Sequence, residues 1–193
     1  MNFELINKVR KYCKLLIESS RCKNMPFHNW EHTQDVVETA KLIARHENVK
    51  DNTLEELIIS SYFHDIGHID EAKAHEELSC RYAMEFLKKE GYDCHRVFNV
   101  LNTIKATKIN QQPNTVTEKI ICDADLAHLG KKNFKTKNSQ LRIEWENYNG
   151  MKFSEKQWAE MNIAFMKTHL FYTEYAQKNF LSQKLINMKV FKI

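Results

Sequence analysis

Glycine and proline are scarce, four and two residues in a chain of 193, where average usage would supply about 23 between them. Sandwiches, barrels and doubly wound sheets need turn residues at short intervals, so the shortage excludes them and leaves a mostly helical chain. Cysteine is equally uninformative as a framework. Cys13, Cys22, Cys80, Cys94 and Cys122 are odd in number and show no CxxC spacing, which argues against disulfide staples and zinc ribbons and suits a reducing cytosol. No apolar run approaches the roughly 18 residues of a membrane span. Residues 1–20 carry Glu4, Lys8, Arg10, Lys11 and Lys14. Their apolar stripe of Leu5, Val9, Cys13 and Leu16 predicts an amphipathic helix, not a signal peptide. A cytoplasmic protein is expected.

What is present is a globular balance, 42% hydrophobic and 28% charged, enough for one domain with its own core. The net charge of +4 is unevenly placed. Residues 131–193 hold 12 Lys and Arg against five acids, whereas residues 1–130 carry an excess of three acids. A basic segment of this kind reads either as a solvated lysine-rich surface or as a face for phosphates or nucleic acid.

Periodicity and breakers predict helices over about 2–20, 30–47, 52–66, 72–90, 93–108, 116–129, 139–148 and 154–180. Asn52 or Thr53 is expected to cap the third, and Gly67, Gly91 and Gly130 to end the third, fourth and sixth. Loops are expected at Ile109–Thr115 and Lys131–Asn138. The last helix, with Trp158, Ile163, Phe165, Met166, Leu170, Phe171 and Tyr172, is apolar nearly all round and should lie in the core. The whole of 1–193 reads as a single all-α domain.

Four stretches carry the chemistry: Phe27-His28-Asn29-Trp30-Glu31-His32, Phe63-His64-Asp65-Ile66-Gly67-His68, Ala74-His75-Glu76-Glu77 and Asp123-Ala124-Asp125-Leu126. Imidazoles mixed with carboxylates suit a divalent ion such as Mn, Fe, Co, Mg, Ni or Zn, with positions left for water and substrate. Neighbours on a helix point about 100° apart, so His64 and Asp65 can grip one ion near the seam between them. His28 and His32 share a face if the second helix starts early enough.

The order His, then His-Asp, then Asp resembles the HD-domain metal-dependent phosphohydrolase superfamily. The resemblance spans about 25–135 and implies an all-helical fold, with the helices of 139–180 packed on that core. It implies His32, His64, Asp65 and Asp125 as metal ligands, with Asp123 behind them. Phe27-His28-Asn29, His32-Thr33, Asp35-Val36 and Ala124-Asp125-Leu126 are also similar to motifs of the cyclic-nucleotide phosphodiesterases. That similarity implies His28 as the proton donor to the leaving oxygen, although Gly67 stands where those enzymes have Asp. Two-metal members add histidines before the final Asp. Residues 104–110 contain none, so one ion is expected.

The implied function is hydrolysis of a phosphoester, with a nucleotide as the substrate class. The alternatives are a sensor that binds metal and nucleotide without turnover, and a nucleic-acid-processing protein. Asp65 is expected to orient or deprotonate the attacking water as well as bind metal, and His68 to act as a base or orient substrate. Lys108, Arg142 and Glu76 are candidate substrate contacts, and His75 with Glu76 could instead cap and charge a helix start. His169 is expected to be a hydrogen-bonded core residue, His46, His95 and His128 surface residues, and Trp30 packing.

Overall fold

The computed structural model describes residues 1–109 and 111–191. Nine α-helices are found among them: α1 Phe3–Glu18, α2 Trp30–His46, α3 Asp51–Phe63, α4 His75–Lys89, α5 Cys94–Lys105, α6 Val116–Asp125, α7 Phe134–Tyr148, α8 Glu155–Thr168 and α9 Glu174–Met188. Short 3-10 turns at Arg21–Asn24, Ile66–Ile69 and Leu126–Gly130 link them. The described residues contain no strand, as the shortage of turn residues predicts.

Helix α3 is the axis of the molecule. Every residue from Glu55 to Phe63 is buried. On one side Ile58, Ile59 and Phe63 meet Leu5, Val9 and Cys13 of α1, Leu87 of α4 and Val100 and Ile104 of α5. On the other, Leu57 joins Val36, Ala40 and Ile43 of α2, Ile120 and Ile121 of α6 and Phe180 of α9. A helix wrapped on all sides must satisfy its own polar groups. Ser60 and Ser61 donate back to the Glu56 and Leu57 carbonyls at 2.7 Å and 2.8 Å. Glu55 and Glu56 are buried, and both pair with Arg96.

Several boundaries differ from expectation. Helix α3 starts after Lys50, with no side-chain cap from Asn52 or Thr53, and stops at Phe63. Gly67 therefore does not terminate it. Its role is close approach: a Cβ there would meet the His75 carbonyl oxygen at 2.0 Å. Residues Lys131–Asn138 are not a loop, because α7 begins at Phe134 and buries Lys137 and Asn138. The long helix of 154–180 is broken between α8 and α9. Asp123 causes the break by accepting from the Tyr172 and Thr173 backbone N–H groups and the Thr173 hydroxyl, the last at 2.7 Å. Thr173 then caps α9. Nor is this segment wholly internal, since Leu170 is exposed.

Candidate metal centre

Four sequence-distant segments converge at the C-terminal end of α3. The helix unwinds at Asp65, whose φ of −110° and ψ of 8° leave the helical range, so its carboxylate turns toward the His64 ring. His32 projects from the first turn of α2, which Asn29 caps by accepting the His32 N–H at 3.2 Å. Asp125 closes α6. His32 Nε2 lies 3.3 Å from Asp65 Oδ2 and 3.1 Å from Asp125 Oδ1, and His64 Nε2 lies 3.1 Å and 3.6 Å from the same two atoms.

One ligand atom from each of these four residues falls within 4.8 Å of the others. His32 Nε2, His64 Nε2 and Asp65 Oδ2 are buried yet make no hydrogen bond, an arrangement that a cation resolves. His64 also donates from Nδ1 to the Ser61 carbonyl at 2.8 Å, which leaves the Nε2 lone pair facing the cluster. Burial opposes charge on both histidines, but Asp125 and Asp65 outweigh it and draw their pKa values upward. Burial likewise opposes charge on the two carboxylates, and the histidines hold both below the usual range. The donor set fits a divalent ion.

His28 lies just before α2 rather than on it. Its Nε2 stands 4.0 Å from Asp65 Oδ2, and its Nδ1 meets Glu144 of α7 in a very short contact. The other Glu144 oxygen accepts the Phe27 and His28 backbone N–H groups at 2.8 Å and 2.9 Å. Burial raises the Glu144 carboxyl, but the His28 ring and these backbone donors prevail and keep it below its ordinary pKa. The motifs offer no signal for Glu144. It sits 116 residues from its partner on a helix outside them, and only folding shows it to be fully buried.

The His28, His68 and His75 rings form a stack, with centroids 4.1 Å and 4.0 Å apart. His68 is buried with both ring nitrogens unpartnered. Burial and the neighbouring His28 push its pKa well down despite Asp65. Asp65 Oδ1 faces His68 and His75, with Nε2 atoms at 4.0 Å and 3.5 Å. Phe27 lies edge-on to His28 and His128 and near His32, with centroids 4.9–5.3 Å away.

The other candidates divide. His128 is half-buried rather than exposed: it packs on Phe27, and burial lowers its pKa to about 4. His169 is half-buried between Phe165 and Phe171, but its Nδ1 has no hydrogen-bond partner. Trp30 stacks on Tyr62 as packing, and His46 and His95 are exposed. Glu76 is buried beside His75. Lys108 is exposed and paired with Glu77 at 2.8 Å. Arg142 is tied to Glu146, Glu155 and the Phe153 carbonyl. Two positions before Glu144, it points about 200° round α7 from the residue that reaches His28, so the fold does not bring it to the cluster.

The family model for the HD domain matches residues 29–130, a span that contains all four metal-ligand candidates. The chain belongs to the HD domain family. Likeness of fold to solved structures extends beyond the matched span. A predicted HD superfamily hydrolase from an uncultured Thermotogales bacterium shares 22% identity, covering 97% of this chain and 88% of its own, at a TM-score of 0.60. A protein from Listeria innocua shares 15% identity over 99% of this chain and 92% of its own, at 0.64. One from Lactobacillus plantarum shares 14% over 99% and 94%, at 0.73. A search of curated proteins finds no match.

Proposed function

We propose that this HD protein is a metal-dependent phosphohydrolase that cleaves a phosphoester bond, with a nucleotide as its substrate class. The observation that carries this reading is the His28–Glu144 pair beside the buried His32, His64, Asp65 and Asp125 quartet. A site that only held an ion would have no use for an imidazole oriented in this way. A divalent cation held by the quartet supplies Lewis acidity to a phosphoryl oxygen and acidifies a water.

The protein's own groups do the rest. Glu144 fixes the ring of His28 through Nδ1, so that Nε2 is placed to donate to the departing oxygen. Asp65 uses one oxygen for the quartet and presents the other toward His68 and His75, where it orients the attacking water. Phosphoryl transfer depends mainly on such positioning and on charge. The basic C-terminal segment gives less support to nucleic-acid binding than its charge suggests, because Lys131, Lys137, Arg142 and Lys184 are engaged by protein acceptors.

The test is a hydrolysis screen over nucleoside mono-, di- and triphosphates and cyclic nucleotides, with Mn, Co, Mg, Ni or Zn, beside Asp65→Ala. Metal-dependent turnover that Asp65→Ala abolishes supports the proposal. Metal binding without turnover of any substrate would favour a sensor. Full activity in Asp65→Ala would show the site to be wrongly placed.

A further inference from the structure

Helices α1, α2 and α3 enclose an open cleft of about 810 Å³. Its α2 wall is Gln34, Val37, Glu38, Lys41 and Arg45, spaced three or four residues apart and so on one face. Lys41, in the middle of that face, lies about 180° round the helix from His32. The cleft therefore opens on the side of α2 turned away from the quartet. Helix α3 forms the base, with Ile58 and Tyr62 buried and Leu54 half-buried. From Leu54 to Tyr62 the base runs about 12 Å, at 1.5 Å per residue. Helix α1 adds the opposite wall through Phe3, Ile6 and Arg10.

Two features of the cleft do not serve the fold. Phe3 is 69% exposed, so its ring gains little from burial where it stands. Four cations, Arg10, Lys41, Arg45 and Lys50, line the cleft against one carboxylate, Glu38, which Lys41 already holds at 2.9 Å. Among the described residues Arg10, Arg45 and Lys50 make neither an ion pair nor a side-chain hydrogen bond. Of the acids on α1 and α3, Glu4 is held by Lys8, and Glu55 and Glu56 by Arg96. Residues 1–130, to which the whole cleft belongs, carry an excess of three acids. Its cationic rim is thus a local concentration against the trend of the segment.

We propose that this cleft binds an anionic amphiphile, a small molecule with an apolar body and a phosphate or carboxylate head. The body lies along the base against Phe3, Ile6 and Leu54. Arg45 and Lys50, which flank the turn between α2 and α3, hold the head, for which the guanidinium fork supplies paired donors. Lys41 and Arg10 extend the positive field along the cleft. A purely polar anion would leave Phe3 uncovered, and a neutral lipid would leave the cations without counter-charge. The volume falls within the range of about 300–1,000 Å³ usual for small-molecule sites. None of the lining residues belongs to the quartet, so the inference does not depend on the phosphohydrolase reading.

The experiment titrates decyl phosphate, kept monomeric, into the full chain by isothermal calorimetry, with chelator present so that no metal recruits the head. One molecule per chain is expected to bind saturably. Inorganic phosphate and decanol should each bind roughly tenfold more weakly or worse, since each lacks half of the contacts. Phe3→Ser, and Arg45→Glu combined with Lys50→Glu, should each weaken decyl phosphate by about tenfold. All three positions are exposed, so the variants should fold, which circular dichroism checks. Asp65→Ala should bind like the wild type. Absence of saturable binding overturns the proposal, as does binding that both surface variants retain. Loss of binding in Asp65→Ala also overturns it, by placing the ligand at the metal centre, and so does inorganic phosphate binding as tightly as decyl phosphate. A second arm sediments the protein with phosphatidylglycerol vesicles. Co-sedimentation that the surface variants abolish, without binding of monomeric decyl phosphate, would make this face a membrane contact and overturn a small-molecule site. The hydrolysis screen reads the metal centre separately, so either reading can fail without the other.

Discussion

At the scale of single residues, Glu144 is the most informative position. One carboxylate holds the loop at Phe27 and His28 and orients the His28 ring. General-acid catalysis by a placed side chain contributes roughly 10²–10⁴-fold, so His28→Ala should lower kcat by that factor in a steady-state assay while metal content stays unchanged. Glu144→Gln keeps an acceptor for the His28 ring but loses the carboxylate, so it should lower kcat by less than His28→Ala in a steady-state assay with the substrate found by screening. Glu144→Ala leaves two backbone donors unpaired, at a cost of about 1–3 kcal/mol each. His169 tests the protein's acid sensitivity. Burial first, then Lys184 and His128, depress its pKa to about 4. A depressed histidine contributes stability above its unfolded value near 6.5 and loses it as pH falls toward 4. The melting temperature of His169→Gln should accordingly decline less steeply than that of the wild type between these limits.

Elements were legible where periodicity and caps agreed, and illegible where a distant group intervened. The amphipathic α1 spans nearly the expected residues, with Leu5, Val9 and Cys13 buried together with Ile17. The interruption between α8 and α9 has no local breaker, because it is made by Asp123 from another helix. Gly67 shows the same limit. A helix stop is a reasonable local reading, but the constraint is the backbone of His75 pressed against it. Gly67→Ala should cost about 1–3 kcal/mol through overpacking, or roughly 2–4 °C of melting temperature per kcal/mol. Its metal affinity should fall in the same preparations, because the start of α4 holds His75 3.5 Å from Asp65 Oδ1. A thermal melt paired with a metal titration checks both.

For the molecule as a whole, the centre is a knot between α2, α3 and α6 around the buried end of α3. Converging carboxylates and histidines stabilise the fold fully only when a cation joins them. An ion present at 100 times its Kd adds about 2.7 kcal/mol to the native state. Chelation should therefore lower the melting temperature by about 5–10 °C, and added manganese should restore it. Asp65→Ala should lose that metal-dependent shift, which differential scanning calorimetry would show.

The amino-acid sequence alone determined the helical class, through its missing turn residues, and offered the four ligand candidates through the family resemblance that their order carries. Both are readable without coordinates. Only the tertiary structure decided that Glu144 meets His28, that His128 packs on Phe27 while Arg142 turns away from the site, and that His75 reaches Asp65. Each depends on which faces of separate helices are pressed together, and that is set by packing around α3 over separations no local pattern encodes.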